Sequence, residues 1–270
     1  MNNRTTRILV AVITIPILLG LSYLGGIPFL LFVLLIGIGS FYEFAEMVKN
    51  KGDNVNQTIG VLSVAFLIVN VFYHFTGLQL LIFSSILLLL IFELFRNKGS
   101  AIRNIGSTLL GIFYIGLFSS SIVGIREFYS DSLHYNNGGL IIISIFITLW
   151  ATDSAAYFLG SAFGKHKLFP RVSPNKSWEG AIAGFIFAIV TMVVLNSILL
   201  SFISFTDALV IGIIIGLFGQ IGDLIESLLK RDAGVKDSSN LIPGHGGVLD
   251  RFDSLFFSAP LIFLYIVYIM

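Results

Sequence analysis

The 270-residue sequence contains no cysteine. That absence removes disulfides, zinc–thiolate sites and thiol nucleophiles together. Any metal must then be held by oxygen or imidazole, which favours hard cations such as Mg²⁺. Charge is also scarce. Only 11% of residues are Asp, Glu, Lys or Arg against 56% hydrophobic, with a mean hydropathy of +0.94. Such a composition excludes an ordinary soluble domain and is that of a polytopic membrane protein. The formal net charge is +1, so no basic excess points to nucleic acid. A long linker, a low-complexity tract and a convincing internal repeat are missing as well, which leaves one integral-membrane domain over 1–270.

What the chain does have is a series of apolar runs. Each is long enough, at roughly 17–24 residues, for a helix to cross a hydrocarbon core. Nine are expected, at about 8–24, 27–45, 58–75, 78–95, 106–124, 139–160, 178–201, 207–229 and 254–270. The fold class is therefore all-α. Five spans lie at about 8–124, and four motif-bearing spans at about 139–270. The opening run has basic residues before it but lacks a small-x-small cleavage site, so it reads as a retained first span. With the N-terminus cytoplasmic and the C-terminus outside, the inner segments hold 15 of the 16 basic residues, and only Arg126 falls outside.

Against this background the stretch Lys230–Asp253, "KRDAGVKDSSNLIPGHGGVLDRFD", is out of character. Topology needs a few lysines there; it needs neither the acids nor the Gly-His-Gly-Gly run. A second dense segment, "GKHKLFPRVSPNKSWEG" (Gly164–Gly180), is read as a cytoplasmic loop before the seventh span. Acids also lie below the membrane surface. In the eighth span Asp223, Glu226, Ser227 and Lys230 fall within an arc of about 100°, and Asp223 sits roughly 10 Å inside the helix end. Asp153 in the sixth span has a similar depth, with Tyr157 one turn away. Glu179 opens the seventh span, and Asp250 with Asp253 precede the ninth. A charge at such depth costs several kcal/mol unless it is paired, hydrated or metal-bound. The structural alternative for Asp223 is a salt bridge to a lysine elsewhere.

Oxygen ligands converging with lysines and arginines suit a Mg²⁺–phosphate site. Asp223 and Asp250, from different helix ends, can approach one ion, and the glycines offer backbone N–H groups as an anion nest. A cavity at that depth admits a lipid headgroup while the acyl chains stay in the bilayer and a nucleotide enters from the cytosol. No Ser-His-Asp arrangement is visible.

The stretch Ser227–Asp253 resembles the signature of the phosphatidate cytidylyltransferases, or CDP-diacylglycerol synthases. Its Ser-x-x-Lys-Arg, Lys-Asp, Pro-x-His-Gly-Gly and Asp-Arg-x-Asp elements stand in order at family spacing. "SPNKSWEG" (Ser173–Gly180) matches a further family motif, and "DSAAY" (Asp153–Tyr157) fits its context. The resemblance implies transfer of the cytidylyl group of CTP to phosphatidic acid, with Mg²⁺ required and a second cation left open. It also implies a homodimer in a bacterial-type cytoplasmic membrane, among membrane lipids, with the active site facing the cytoplasm. By position, Asp223 and Asp250 match the metal-binding acids. Ser173, Lys176, Ser177 and Glu179 fall in the nucleotide-binding segment, and Asp153, Gly246 and Gly247 are further substrate-binding candidates. Lys230, Arg231, Lys236, Asp237, His245, Arg251 and Asp253 match the polar positions of the signature.

Two other classes compete. An ion-coupled transporter also carries intramembrane acids, but it calls for polar residues at mid-membrane and access from both sides. Another lipid phosphotransferase or kinase calls for a motif such as Asp-Gly-x-x-Ala-Arg or a Walker P-loop, and neither occurs. Of the histidines, His74 and His134 read as interfacial bystanders and His166 as a solvated loop residue.

Overall fold

Backbone groups inside a bilayer have no water to bond, so apolar runs of this length close their hydrogen bonds within helices. The computed structural model describes residues 3–242 and 246–270. Nine helices account for the described residues outside loops and one hairpin: α1 Asn3–Leu24, α2 Gly26–Asn50, α3 Gln57–Tyr73, α4 Leu78–Arg96, α5 Ala101–Arg126, α6 Tyr135–Phe163, α7 Trp178–Ile198, α8 Phe205–Asp232 and α9 Leu249–Tyr268. Seven of them are long and apolar enough to cross a membrane, whereas α3 and the apolar part of α1, Val10–Leu24, are shorter. The chain is an all-α polytopic integral membrane protein. Prolines sit inside α1 (Pro16) and α9 (Pro260), as membrane helices tolerate.

The segment before the seventh run is more than a loop. Lys167–Phe169 (β1) and Ser173–Ser177 (β2) pair antiparallel, Lys167 with Ser177 and Phe169 with Ser173. A lone two-stranded hairpin is marginal in water. Here the Trp178 N–H donates to the His166 carbonyl at 2.9 Å, and the Ser177 hydroxyl accepts from the Gly180 N–H at 3.2 Å, capping α7. The hairpin therefore ends directly in a helix start.

Contacts divide the chain into two units. One comprises Met1–Leu21, Gly26–Gly124 and Lys230–Phe252. Its α4 and α5 are tied by a polar cluster that hydropathy conceals. Glu93, 6% exposed, accepts from the Asn104 amide at 2.6 Å and lies 3.3 Å from Arg96. The Arg96 guanidinium also donates to the Asn54 and Val55 carbonyls, so the charge is paired and bonded as burial demands.

The other unit comprises Ser22–Gly25, Ile125–Leu229 and Asp253–Met270. Arg126, the one base expected outside, is fully buried in it. Its guanidinium donates to the carbonyls of Ser22 (2.6 Å) and Tyr23 (2.8 Å), satisfying the end of α1, where orphan carbonyls favour a cation, and to that of Tyr135 (3.2 Å) at the start of α6. Small residues let α6 and α7 pack closely: a Cβ on Gly180 would lie 2.7 Å from the Ala156 carbonyl oxygen and 2.9 Å from the Gly160 Cα.

Candidate active site

In the second unit, the site begins with a break in helix regularity. The stretch Ile215–Gly219 of α8 is π-helical, which turns the following residues relative to an uninterrupted α-helix. The Gln220 amide bonds the carbonyl of Gly216 at 2.6 Å and that of Ala181 at 3.1 Å, so a freed backbone acceptor is satisfied locally. Beyond it, Gly222 lies against α9. A Cβ there would come 2.6 Å from the Phe257 Cβ and 2.9 Å from the Asp253 carbonyl oxygen. Only a hydrogen fits, and the close approach carries the next acids of α8 to the start of α9. Carboxylate oxygens of Asp223, Glu226 and Asp253 all lie within 4.8 Å of one another, with Glu226 and Asp253 buried and Asp223 half-buried.

Lys176, delivered by β2, makes an ion pair with Asp223, and Ser227 lies 3.5 Å from the same carboxylate. Beside the pair opens a cavity of about 440 Å³. Asp153 and Tyr157 of α6, Asn175 and Lys176 of β2, and Gln220 and Asp223 of α8 supply its polar lining. The shared face expected for Asp153 and Tyr157 thus opens on this cavity. Ser177 also lines it, with its hydroxyl committed to the α7 cap. Glu179 turns to His166 instead: the His166 ring nitrogen lies 2.6 Å from its carboxylate, and the His166 N–H donates to it as well. His166 is exposed as a loop residue, but it is more than a solvated one, because it latches the hairpin to the start of α7. Ser173 stands at the far end of β2, paired with Phe169. Of the bystander histidines, His134 lies 2.8 Å from Asp131, and His74 ends α3 in a left-handed conformation.

The remaining signature residues belong to the first unit. Lys230 is buried and lies 2.6 Å from the Asp250 carboxylate. The other Asp250 oxygen accepts from the Ser238 N–H (3.0 Å), the Ser238 hydroxyl (2.9 Å) and the Gly247 N–H (2.8 Å). The Gly247 N–H of the glycine-rich run thus meets a carboxylate of the protein. Arg231 donates to the Val235 carbonyl, while Lys236, Asp237 and Arg251 are exposed. Gly246 has φ +82°, and His245 lies outside the described residues.

The sequence reading passed over two acids. Glu226 stood in the right arc of α8 but was not named as a metal ligand. Glu43, in α2, carries no motif; an acid inside a run as apolar as 27–45 was the signal that could have found it.

Three carboxylates within reach of one cation, all hard oxygen donors, fit Mg²⁺ in donor chemistry. With a lysine and a polar cavity alongside, the arrangement can bind phosphate oxygens. The model of the Cytidylyltransferase family matches residues 5–269. The phosphatidate cytidylyltransferase of Bacillus subtilis is 35% identical, over 96% of this chain and 95% of its own. The enzymes of that name from Staphylococcus haemolyticus and Brucella melitensis are 37% and 38% identical, over 95% and 98% of this chain and 96% and 94% of their own. Matched along nearly its whole length, with the Lys176–Asp223 pair beside clustered acids, the chain belongs to the cytidylyltransferase family.

Proposed function

We propose that this enzyme transfers the cytidylyl group of CTP to phosphatidic acid, giving CDP-diacylglycerol and pyrophosphate for phospholipid synthesis. The observation that carries the reading is Lys176 paired with one of three clustered acids at the rim of a polar cavity, in a chain whose relatives named for this reaction align from end to end.

The phosphate of phosphatidic acid is already an anionic nucleophile, so the protein needs no general base. A phosphatidate oxygen bonds to the α-phosphorus of CTP. The bond from that phosphorus to the oxygen bridging to the β-phosphate breaks, and its electron pair leaves with pyrophosphate. What the protein must supply is alignment of two polyanions and relief of their repulsion. Lys176 offers its ammonium to phosphate oxygens, exchanging Asp223 for substrate. Asp153, Asn175 and Tyr157 give the cavity polar atoms that orient the incoming groups. Mg²⁺, held by Asp223 with Glu226 and Asp253, would neutralise charge on the phosphates. Asp250, the other acid that the resemblance assigns to metal, keeps that role in this proposal.

The finer topology belongs to the same reading. All nine helices span, the N-terminus is cytoplasmic, the C-terminus is outside, and the cavity opens to the cytoplasm of a bacterial cell. The bias of basic residues supports this. The working form is a homodimer, and nucleic acid is not a partner.

The test is direct. Purified protein in lipid is expected to convert labelled CTP to CDP-diacylglycerol only with phosphatidic acid and a divalent cation both present. Product formed from a lipid alcohol, with none from phosphatidic acid, would move the assignment to a kinase-like transferase.

A further inference from the structure

Glu43 is an acid in an apolar helix, 4% exposed, and outside every motif of the signature. Its carboxylate is saturated from both sides. One oxygen accepts from the Ser239 hydroxyl at 2.6 Å and the Val248 N–H at 2.9 Å. The other accepts from the Leu249 N–H at 2.9 Å and lies 2.9 Å from the Ser238 hydroxyl. The two backbone donors belong to the start of α9, where orphan N–H groups and the helix dipole favour an anion. The two hydroxyls belong to the opposite arm of the signature loop. Glu43 therefore clamps both arms to α2.

The clamp reaches Asp250 directly. The Ser238 hydroxyl lies 2.9 Å from Glu43 and 2.9 Å from Asp250, and its single proton serves one carboxylate at a time. Gly247 bonds Asp250 through its N–H, and a Cβ on it would come 2.7 Å from the Glu43 Cδ. A Cβ on Gly246 would come 2.6 Å from an Asp250 oxygen. The paired glycines are thus required by two carboxylates closing on the same turn. One turn earlier in α2, Gly39 faces Val248, whose nearest atom lies 3.7 Å from where a Cβ would be.

We infer that Glu43 is a positioning residue for the transfer reaction: it fixes the signature loop and the start of α9 so that Asp250 is held in its working orientation. This rests on the cytidylyltransferase reading for its link to turnover, but not for the loop geometry.

Glu43→Gln keeps the shape of the side chain. Its amide nitrogen, however, must face one of the two backbone N–H groups, donor against donor. With a spin label on Leu241→Cys in an otherwise cysteine-free chain, metal-free protein without substrate is expected to show a more mobile label in Glu43→Gln than in the parent. In the activity arm, kcat is expected to fall and half-saturating Mg²⁺ to rise, each by about tenfold, as outer partners of metal ligands typically behave. Because Glu43 acts through Asp250, Glu43→Gln/Asp250→Asn is expected to be no slower than Asp250→Asn alone. Ser239→Ala, which removes one of the four hydrogen bonds, covers the case in which Glu43→Gln does not fold; it is expected to loosen the label and raise half-saturating Mg²⁺ by a smaller factor. Parent-like label mobility in the folded variants overturns the inference, whatever reaction the protein catalyses. So does a fully multiplicative loss in the double variant.

Discussion

Asp223 sits in a membrane helix, and its side chain is 36% exposed. An anion in that position needs a partner, and the structure supplies a lysine at once and two further acids close by. Asp223→Asn preserves size and removes one charge. The variant is expected to insert and fold as the parent does, and to lose most of its turnover. Its half-saturating Mg²⁺ is expected to rise by about tenfold or more. Near-normal turnover with an unchanged Mg²⁺ requirement would remove Asp223 from the metal site. A purely structural salt bridge predicts the opposite pattern, namely loss of folded protein with normal metal dependence in what remains.

The helices that carry these residues are shaped by glycines and by one irregularity. In α8 the π-helical stretch changes the phase of everything after it, and Gly222 then lets α9 come close enough for Asp253 to join Asp223 and Glu226. Gly222→Val tests whether this approach matters to the chemistry. The added methyl groups would meet the Phe257 Cβ and the Asp253 backbone, and overpacking of this kind typically costs about 1–3 kcal/mol. The expected outcome is a folded protein with a somewhat lower unfolding temperature and a disproportionate loss of Mg²⁺-dependent turnover. A loss of stability alone, with turnover per folded molecule unchanged, would show that the α8–α9 approach serves packing only. The hairpin works in a similar way: two short strands, held by the α7 cap and the His166–Glu179 contact, carry Lys176 to the cavity.

For the protein in its membrane, orientation decides which compartment supplies the nucleotide. Charge is the only large asymmetry in the chain, and basic residues near span ends resist translocation. Single cysteines are expected to react with a membrane-impermeant maleimide from the cytoplasmic side at Lys98 and Lys167, and from the outside at Ser132 and Met270. The absence of native cysteine makes each label unambiguous. Reaction of Lys167→Cys from outside would reverse the proposed topology and the entry route of CTP with it. Arg126 does not weaken the charge argument, because it is buried and bonded to helix-end carbonyls where it falls.

Membrane character, helical class and the positions of all nine apolar helices were legible from composition and run length, because a bilayer leaves the backbone few alternatives. The signature made the family legible, and depth along a helix marked Asp153 and Asp223 as acids in need of a partner. Spacing could not say which acids meet. Within the second unit Glu226 and Asp253 join Asp223, brought there by a glycine contact and a π-helical turn that no regular 3.6-residue period contains. Nor could motif reading find Glu43, which meets the signature loop nearly two hundred positions later in the chain. Local periodicity follows from the backbone of each segment and is written residue by residue. Convergence of side chains from separate helices depends on how closely those helices pack, and that is set by the volumes of residues distant in the sequence.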